Sequence, residues 1–204
     1  NTVVVGVATA TLTMLLSLIV AWVIVRGAIK GRSLLDGLTF LPHSIPGVVI
    51  ALALIILYLQ PPLSYVPIYG TVWLIVIGLT ASYIAFGSRT MNSALIQIHR
   101  ELEEAAQISG LKWPVILRRI ILPLLLPAFV SGWIWVASHS LRSFSIPLML
   151  GTRNNKVISV TMWDLWEQGS AGPTSALGVM LIVALAFFTV GGRWLVGRLS
   201  RQDE

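Results

Sequence analysis

The residues able to do chemistry in this 204-residue chain gather between Arg89 and Pro123. Glu101, Glu103 and Glu104 sit there among Arg89, Arg100, Lys112, Arg118 and Arg119, with His99 adding a cation when protonated. Long apolar runs flank this tract on both sides. The chain holds no glycine loop followed by Lys-Ser/Thr, no His-Glu-x-x-His and no Ser-centred elbow, so no catalytic residue is assigned and an enzyme is not expected. Its other carboxylates are Asp36, Asp164, Glu167, Asp203 and Glu204, and none lies in the middle of an apolar run. A carrier driven by ions needs an acid at membrane depth, so the energy source is expected in another subunit. Cysteine is absent. Disulfides and thiolate metal sites are therefore excluded, and no metal site is expected.

The spacing inside the tract predicts built structure. Leu102, Ala105, Ala106 and Ser109 recur at i, i+3, i+4 and i+7, the period of one helix face, and Glu101 and Glu104 share another. Gly110 follows, where a helix ends most easily in a left-handed turn. Pro114 can open a second short helix, because the first helical position needs no N–H. The tract reads as helix, glycine turn, helix, lying on a membrane surface.

Glu104-Ala105-Ala106, three residues, Gly110, nine residues, Ile120, one residue, then Leu122-Pro123 resembles the EAA loop of bacterial ABC importer permeases of type I at every defined position. The resemblance implies a coupling helix that docks into a groove on a cytoplasmic ABC ATPase dimer. It implies that Glu101, Glu104, Ala105, Ala106, Gly110, Leu111, Ile120, Leu122 and Pro123 form the coupling region. ATP and Mg would be bound by that partner, with no cofactor in this chain. The competing plain reading is an amphipathic interfacial helix without a partner. It leaves the fixed Gly and Leu-Pro spacing unexplained.

Those residues need a membrane scaffold, and the composition supplies one. Hydrophobic residues make up 56% of the chain, charged residues 11%, and mean hydropathy is +0.85. No ordinary soluble domain has that balance. Apolar runs of about 20 residues cross a bilayer core. The expected architecture is all-α and polytopic: a single permease domain over 1–204, with five spans at about 3–25, 38–59, 71–88, 124–150 and 174–196, and a cytoplasmic loop over 89–123. Pro42, Pro46 and Gly47 predict a kinked start to the second span. Tyr58, Tyr65 and Tyr69 suit an aromatic belt. Val157 to Trp166 is expected as a short amphipathic helix on the outer surface.

Charge orients the spans. Arg26, Lys30 and Arg32, the tract's cations, and Arg193, Arg198 and Arg201 fall on one side, against Arg153 and Lys156 on the other. This positive-inside bias puts the C-terminus in the cytoplasm and, with five spans, Asn1 outside. The net charge of +6 is thus read as membrane anchoring, and nucleic acid is not expected as a partner. The chain starts at Asn1 and is expected to be cut from a longer or fused protein.

A substrate pathway is expected at Ser138, His139 and Arg142, which interrupt the fourth apolar run. Arg142 fits two readings, a pathway residue or an interfacial anchor. It lies about 18 residues, or roughly 27 Å at 1.5 Å per residue, from the inner end of its span. His43 likewise fits either an interfacial histidine or a pathway group. Ser140-Leu141-Arg142 and Trp163-Asp164-Leu165-Trp166-Glu167 resemble permeases of the ferric-iron branch. Polyamine, thiamine and aminoalkylphosphonate branches are alternatives. The resemblance further implies a second permease subunit or fused half, a periplasmic or lipid-anchored binding protein, and a bacterial inner-membrane location. The alternative of a different class is a secondary transporter or channel.

Overall fold

A computed structural model describes residues 1–27 and 30–199. It contains helices and turns, with no strand among the described residues. Four helical stretches are long and apolar enough to cross a membrane: Thr2–Val25, Val72–Gln97, Trp113–Leu141 and Ala171–Gly192. A fifth crossing exists if the bent pair Arg32–Ser44 and Gly47–Leu59 counts as one span.

Helix α1 (Thr2–Val25) shows how the fold is held. Its buried stripe is Gly6, Thr9, Ala10, Thr13, Met14, Ser17 and Ala21, mostly small and weakly polar. Its exposed side carries Val3, Val4, Val7, Leu12, Leu15 and Ile19. This inverts the soluble pattern. Lipid is as apolar as leucine, so close backbone approach between helices, not oiliness, selects the inner face. The stripe packs along α4 (Val72–Gln97) and then α7 (Leu122–Leu141). Three buried layers follow along these helices. Leu74, Ile75, Leu79, Ile146 and Leu150 form one; Met14, Met91 and Val136 form the middle; Leu95, Ile98, Ala106, Ile116, Ile121 and Leu125 form the last.

The second span is broken where the prolines predict. Helix α2 (Arg32–Phe40) runs into a 3-10 turn at Leu41–Ser44, and α3 (Gly47–Leu59) leaves at 109° to that pair. Asp36 lies within α2, and its carboxylate pairs with Arg89 at 3.1 Å.

Four expected boundaries move. The helix leading into the second span, expected from Leu38, begins at Arg32. The third apolar run ends at Ser88, but α4 continues to Gln97. Arg89 does not stop it, because its guanidinium leaves the helix sideways to Asp36 and lies 5.5 Å from the Phe40 ring centre. A helix needs helix-forming residues, not apolar ones, to continue. The loop expected at 89–123 is therefore largely helical.

The fourth run, expected over 124–150, divides. Helix α6 (Trp113–Ile116), a π turn at Leu117–Ile121 and α7 form one continuous stretch to Leu141. Pro123 has no N–H for the carbonyl four residues back, and the wider turn just before it absorbs that mismatch. The stretch ends at Arg142, and α8 (Ser145–Leu150) is a separate short helix. Helix α10 (Ala171–Leu199) starts three residues before the expected Thr174.

Helix α5 (Arg100–Ile108) and α9 (Ile158–Glu167) fall near the expected segments. Tyr65 and Tyr69 are exposed, but Tyr58 is buried in the first core layer instead of joining a belt. Arg201 lies outside the described residues.

Candidate coupling surface and membrane clefts

Helix α5 is preceded by His99, whose backbone is extended, and carries Glu101 and Glu103 in its first turn. Carboxylates there oppose the positive end of the helix dipole. Its end is a Schellman turn. Leu111 N–H donates to Ala106 C=O at 3.1 Å, and Gly110 N–H donates to Gln107 C=O at 2.9 Å. Gly110 has φ +83, the conformation that glycine adopts without cost. Leu111, expected in the coupling region, thus closes the turn through its own backbone.

The predicted small-residue face is only partly the buried one. Ala106 is 8% exposed and enters the layer formed by Ile98, Ile116 and Ile121. Leu102, Ala105 and Ser109 are exposed. Ser109 Oγ turns back to Ala105 C=O at 2.9 Å. The outward surface of α5 therefore carries Glu101, Leu102, Glu104, Ala105 and Ile108, the last 88% exposed. Of the remaining motif residues, Ile120 packs at the edge of the inner layer, while Leu122 and Pro123 stay exposed.

Sequence reading passed over Glu103 and Arg26. Arg26 Nε donates to Glu103 Oε1 at 2.9 Å, with side chains 9% and 13% exposed. The second arm of Arg26 donates to Ile98 C=O at 2.5 Å. Arg100 donates to Val25 C=O at 3.1 Å. Nothing in the spacing of 77 residues between Arg26 and Glu103 could have signalled this pair.

The three expected pathway residues do not share one cavity. Ser138 and His139 line a cleft of about 610 Å3 between α7 and α10, with Ser131, Trp135 and Thr189. The His139 ring stacks on Trp135 at 3.7 Å, and Trp135 stacks on Phe86 at 3.7 Å. His139 Nδ1 lies 2.9 Å from Trp135 C=O. Arg142 lines a different cleft of about 500 Å3 with Phe144, Met162, Trp163 and Trp166. Ser138 lies within α7, whereas Arg142 caps its end, where the chain leaves the helix and turns toward α8. His43 faces a third space of about 210 Å3 at the bend of the second span, beside Ser82, Tyr83, Ser143 and Ser145. That polar group was not singled out in the sequence, because its members come from three separate stretches. Among the described residues, no three His, Asp or Glu side chains are grouped to hold a metal.

These elements make a helical membrane unit with a broken second span and a short helix closed by a glycine turn. The chain belongs to the family described as "Binding-protein-dependent transport system inner membrane component", whose model matches residues 13–201. It is 28% identical over 198 residues to "Ferric transport system permease protein FbpB" of Actinobacillus pleuropneumoniae, covering 97% of this chain and 28% of that protein. It is 26% identical over 174 residues to "Spermidine/putrescine transport system permease protein PotC" of Haemophilus influenzae, covering 85% of this chain and 66% of that protein. The chain thus spans less than a third of that ferric relative. Two solved structures share the fold. The inward-facing MetNI methionine ABC transporter aligns with TM-score 0.77 at 16% identity, over 97% of this chain and 92% of that one. A bacterial ABC transporter involved in alginate import aligns with TM-score 0.73 at 19% identity, over 95% and 77%.

Proposed function

We propose that this chain forms the translocation unit of an ABC importer and is driven through α5 by a cytoplasmic ABC ATPase dimer. The observation that carries this reading is α5 itself. It is held by Ala106 and the Gly110 turn while Glu101, Glu104, Ala105 and Ile108 stay open to a partner. ATP and Mg are bound by that ATPase. A second permease unit, separate or fused, completes the pathway, and a periplasmic or lipid-anchored binding protein delivers substrate. Asn1 faces outward and the C-terminus lies in the cytoplasm of a bacterial inner-membrane protein.

Ferric iron is the proposed cargo, supported by the ferric permeases among the relatives. Polyamines and aminoethylphosphonate are the alternatives that other relatives support, and thiamine is a further one. Ser138, His139 and Arg142 are proposed to meet substrate or its delivering protein.

Glu104→Lys tests this reading, since it reverses an exposed charge without touching a span. The ATPase should copurify with the wild type and be lost from the variant. ATP-driven uptake into vesicles should be tried with ferric iron, spermidine and aminoethylphosphonate, each with its binding protein. Equal ATPase recovery from both chains would overturn α5 as the docking element.

A further inference from the structure

We propose that Arg26 and Glu103 are positioning residues that lock the surface helix α5 to the inner end of α1, so that the two move as one body. This rests on the transport reading above and adds a route by which motion enters the spans. Chain continuity already ties α5 to α4 on one side and to α6 on the other. Nothing in the covalent chain ties it to α1.

The brace consists of reciprocal bonds. Arg26 caps α1 and sends one guanidinium arm to Glu103 on α5 and another to the Ile98 carbonyl just before α5. Arg100, the first residue of α5, returns a bond to the Val25 carbonyl at the end of α1. Helix ends leave such carbonyls without an intrahelical donor, so each element completes the other. Beside this, Trp22 of α1 meets Trp113 of α6 edge to face at 5.4 Å. The ion pair is almost closed to solvent, and a buried pair that loses one partner leaves an uncompensated charge. It therefore behaves as a latch with a defined geometry, unlike an exposed pair, which tolerates many.

Arg is required by this arrangement. Its planar fork reaches two acceptors at fixed angles, whereas a lysine ammonium is a point donor on a flexible stem. Glu103→Gln keeps an acceptor for Arg26 but leaves its buried charge unpaired, so it should weaken the brace less than Glu103→Ala does. Arg26→Lys keeps the charge but not the fork that reaches two acceptors, and should loosen the brace as well. From α1 the displacement passes directly into the middle of the fold, because α1 packs along both α4 and α7.

The chain has no cysteine, so spin labels can be placed at Leu15→Cys on α1 and Gln107→Cys on α5, both exposed and the second outside the surface offered to the ATPase. Distances between them are measured in liposomes, first with the permease alone and then with its ATPase, with and without ATP. The labelled protein should give one narrow distance that ATP leaves in place. Glu103→Gln should broaden it less than Glu103→Ala does. Arg26→Ala and Glu103→Ala should broaden the distribution without ATPase present, retain the ATPase, and cut ATP-driven uptake of ferric iron about tenfold. The double alanine variant should be no worse than either single one, since both remove the same interaction. A distribution unchanged by both alanine variants would overturn the brace, and so would losses that multiply in the double variant. If the brace responds as expected and the wild-type chain holds no ATPase, the transport reading fails and the brace stands.

Discussion

Ser17 of α1 and Gly87 of α4 meet where the two helices press together: a Cβ on Gly87 would lie 2.2 Å from Ser17 Oγ. A side chain at Gly87 would press on Ser17 and Thr13, within the most extensively packed helix pair among the described residues. Gly87→Ala should force the helices apart and destabilise the protein by about 1–3 kcal/mol, as overpacking does. Adding Ser17→Gly should recover part of the loss. Thermal unfolding in detergent, followed by tryptophan fluorescence, reads both. A Gly87→Ala protein as stable as the wild type would show that the contact relaxes freely.

Gly110 is constrained by conformation and not by space. Its φ is +83, and no atom lies within 4 Å of where a Cβ would sit. Gly110→Val should cost about 1–2 kcal/mol locally, the penalty of a left-handed residue with a side chain. Gly110→Asn should cost less. Insertion into the membrane should be unaffected, because no span changes. Copurifying ATPase should fall with valine, by about tenfold for 1.4 kcal/mol at limiting ATPase. Retention of the ATPase by both variants would detach the turn from docking.

Asn155 joins the segment after α8 to the start of α4. Its amide donates to the carbonyls of Gly70 and Thr71, each at 3.1 Å, and its side-chain oxygen accepts from Thr152 N–H. The residue is buried. Asn155→Ala should cost about 1–3 kcal/mol by leaving these groups unsatisfied. Asn155→Asp should be at least as harmful, since a carboxylate would face two carbonyls. An unchanged unfolding midpoint in both would mean that other groups take over the bonds.

Arg142 separates two readings that geometry alone leaves side by side. It is exposed, in a cleft with Trp163 and Trp166, as either a pathway residue or an anchor could be. Arg142→Ala is expected to lower ATP-driven uptake while assembly and basal ATP hydrolysis persist. Normal uptake would assign the residue to anchoring.

Orientation can be read chemically. Single cysteines at Tyr65 and Asn154, both exposed, should react with an impermeant thiol reagent added outside intact cells. One at Ser109 should react only after the membrane is opened. Labelling at Ser109 from outside would reverse the topology.

Much of the scaffold was legible because its signals are local. Length and hydropathy marked four spans, the Pro42–Gly47 cluster marked the break in the remaining one, and Gly110 announced the positive φ it adopts. Boundaries were less legible where hydropathy and helicity part company. Arg89 ends an apolar run without ending a helix, because a guanidinium can leave the helix sideways and find Asp36. Arg142 ends α7 within what reads as one apolar segment.

The sequence by itself determined the class of chain, from its composition and from a motif running from Glu104 to Pro123, and the broken second span and the glycine turn, from residues within one or two turns of one another. Only the tertiary structure decided which side of α5 is buried, that Arg26 holds Glu103, and that His139 and Arg142 line different clefts. Those relations depend on how helices rotate against one another. A rotation that buries Ala106 instead of Ala105 leaves the apolar pattern almost unchanged, because both are small, and is selected by partners far away in the chain.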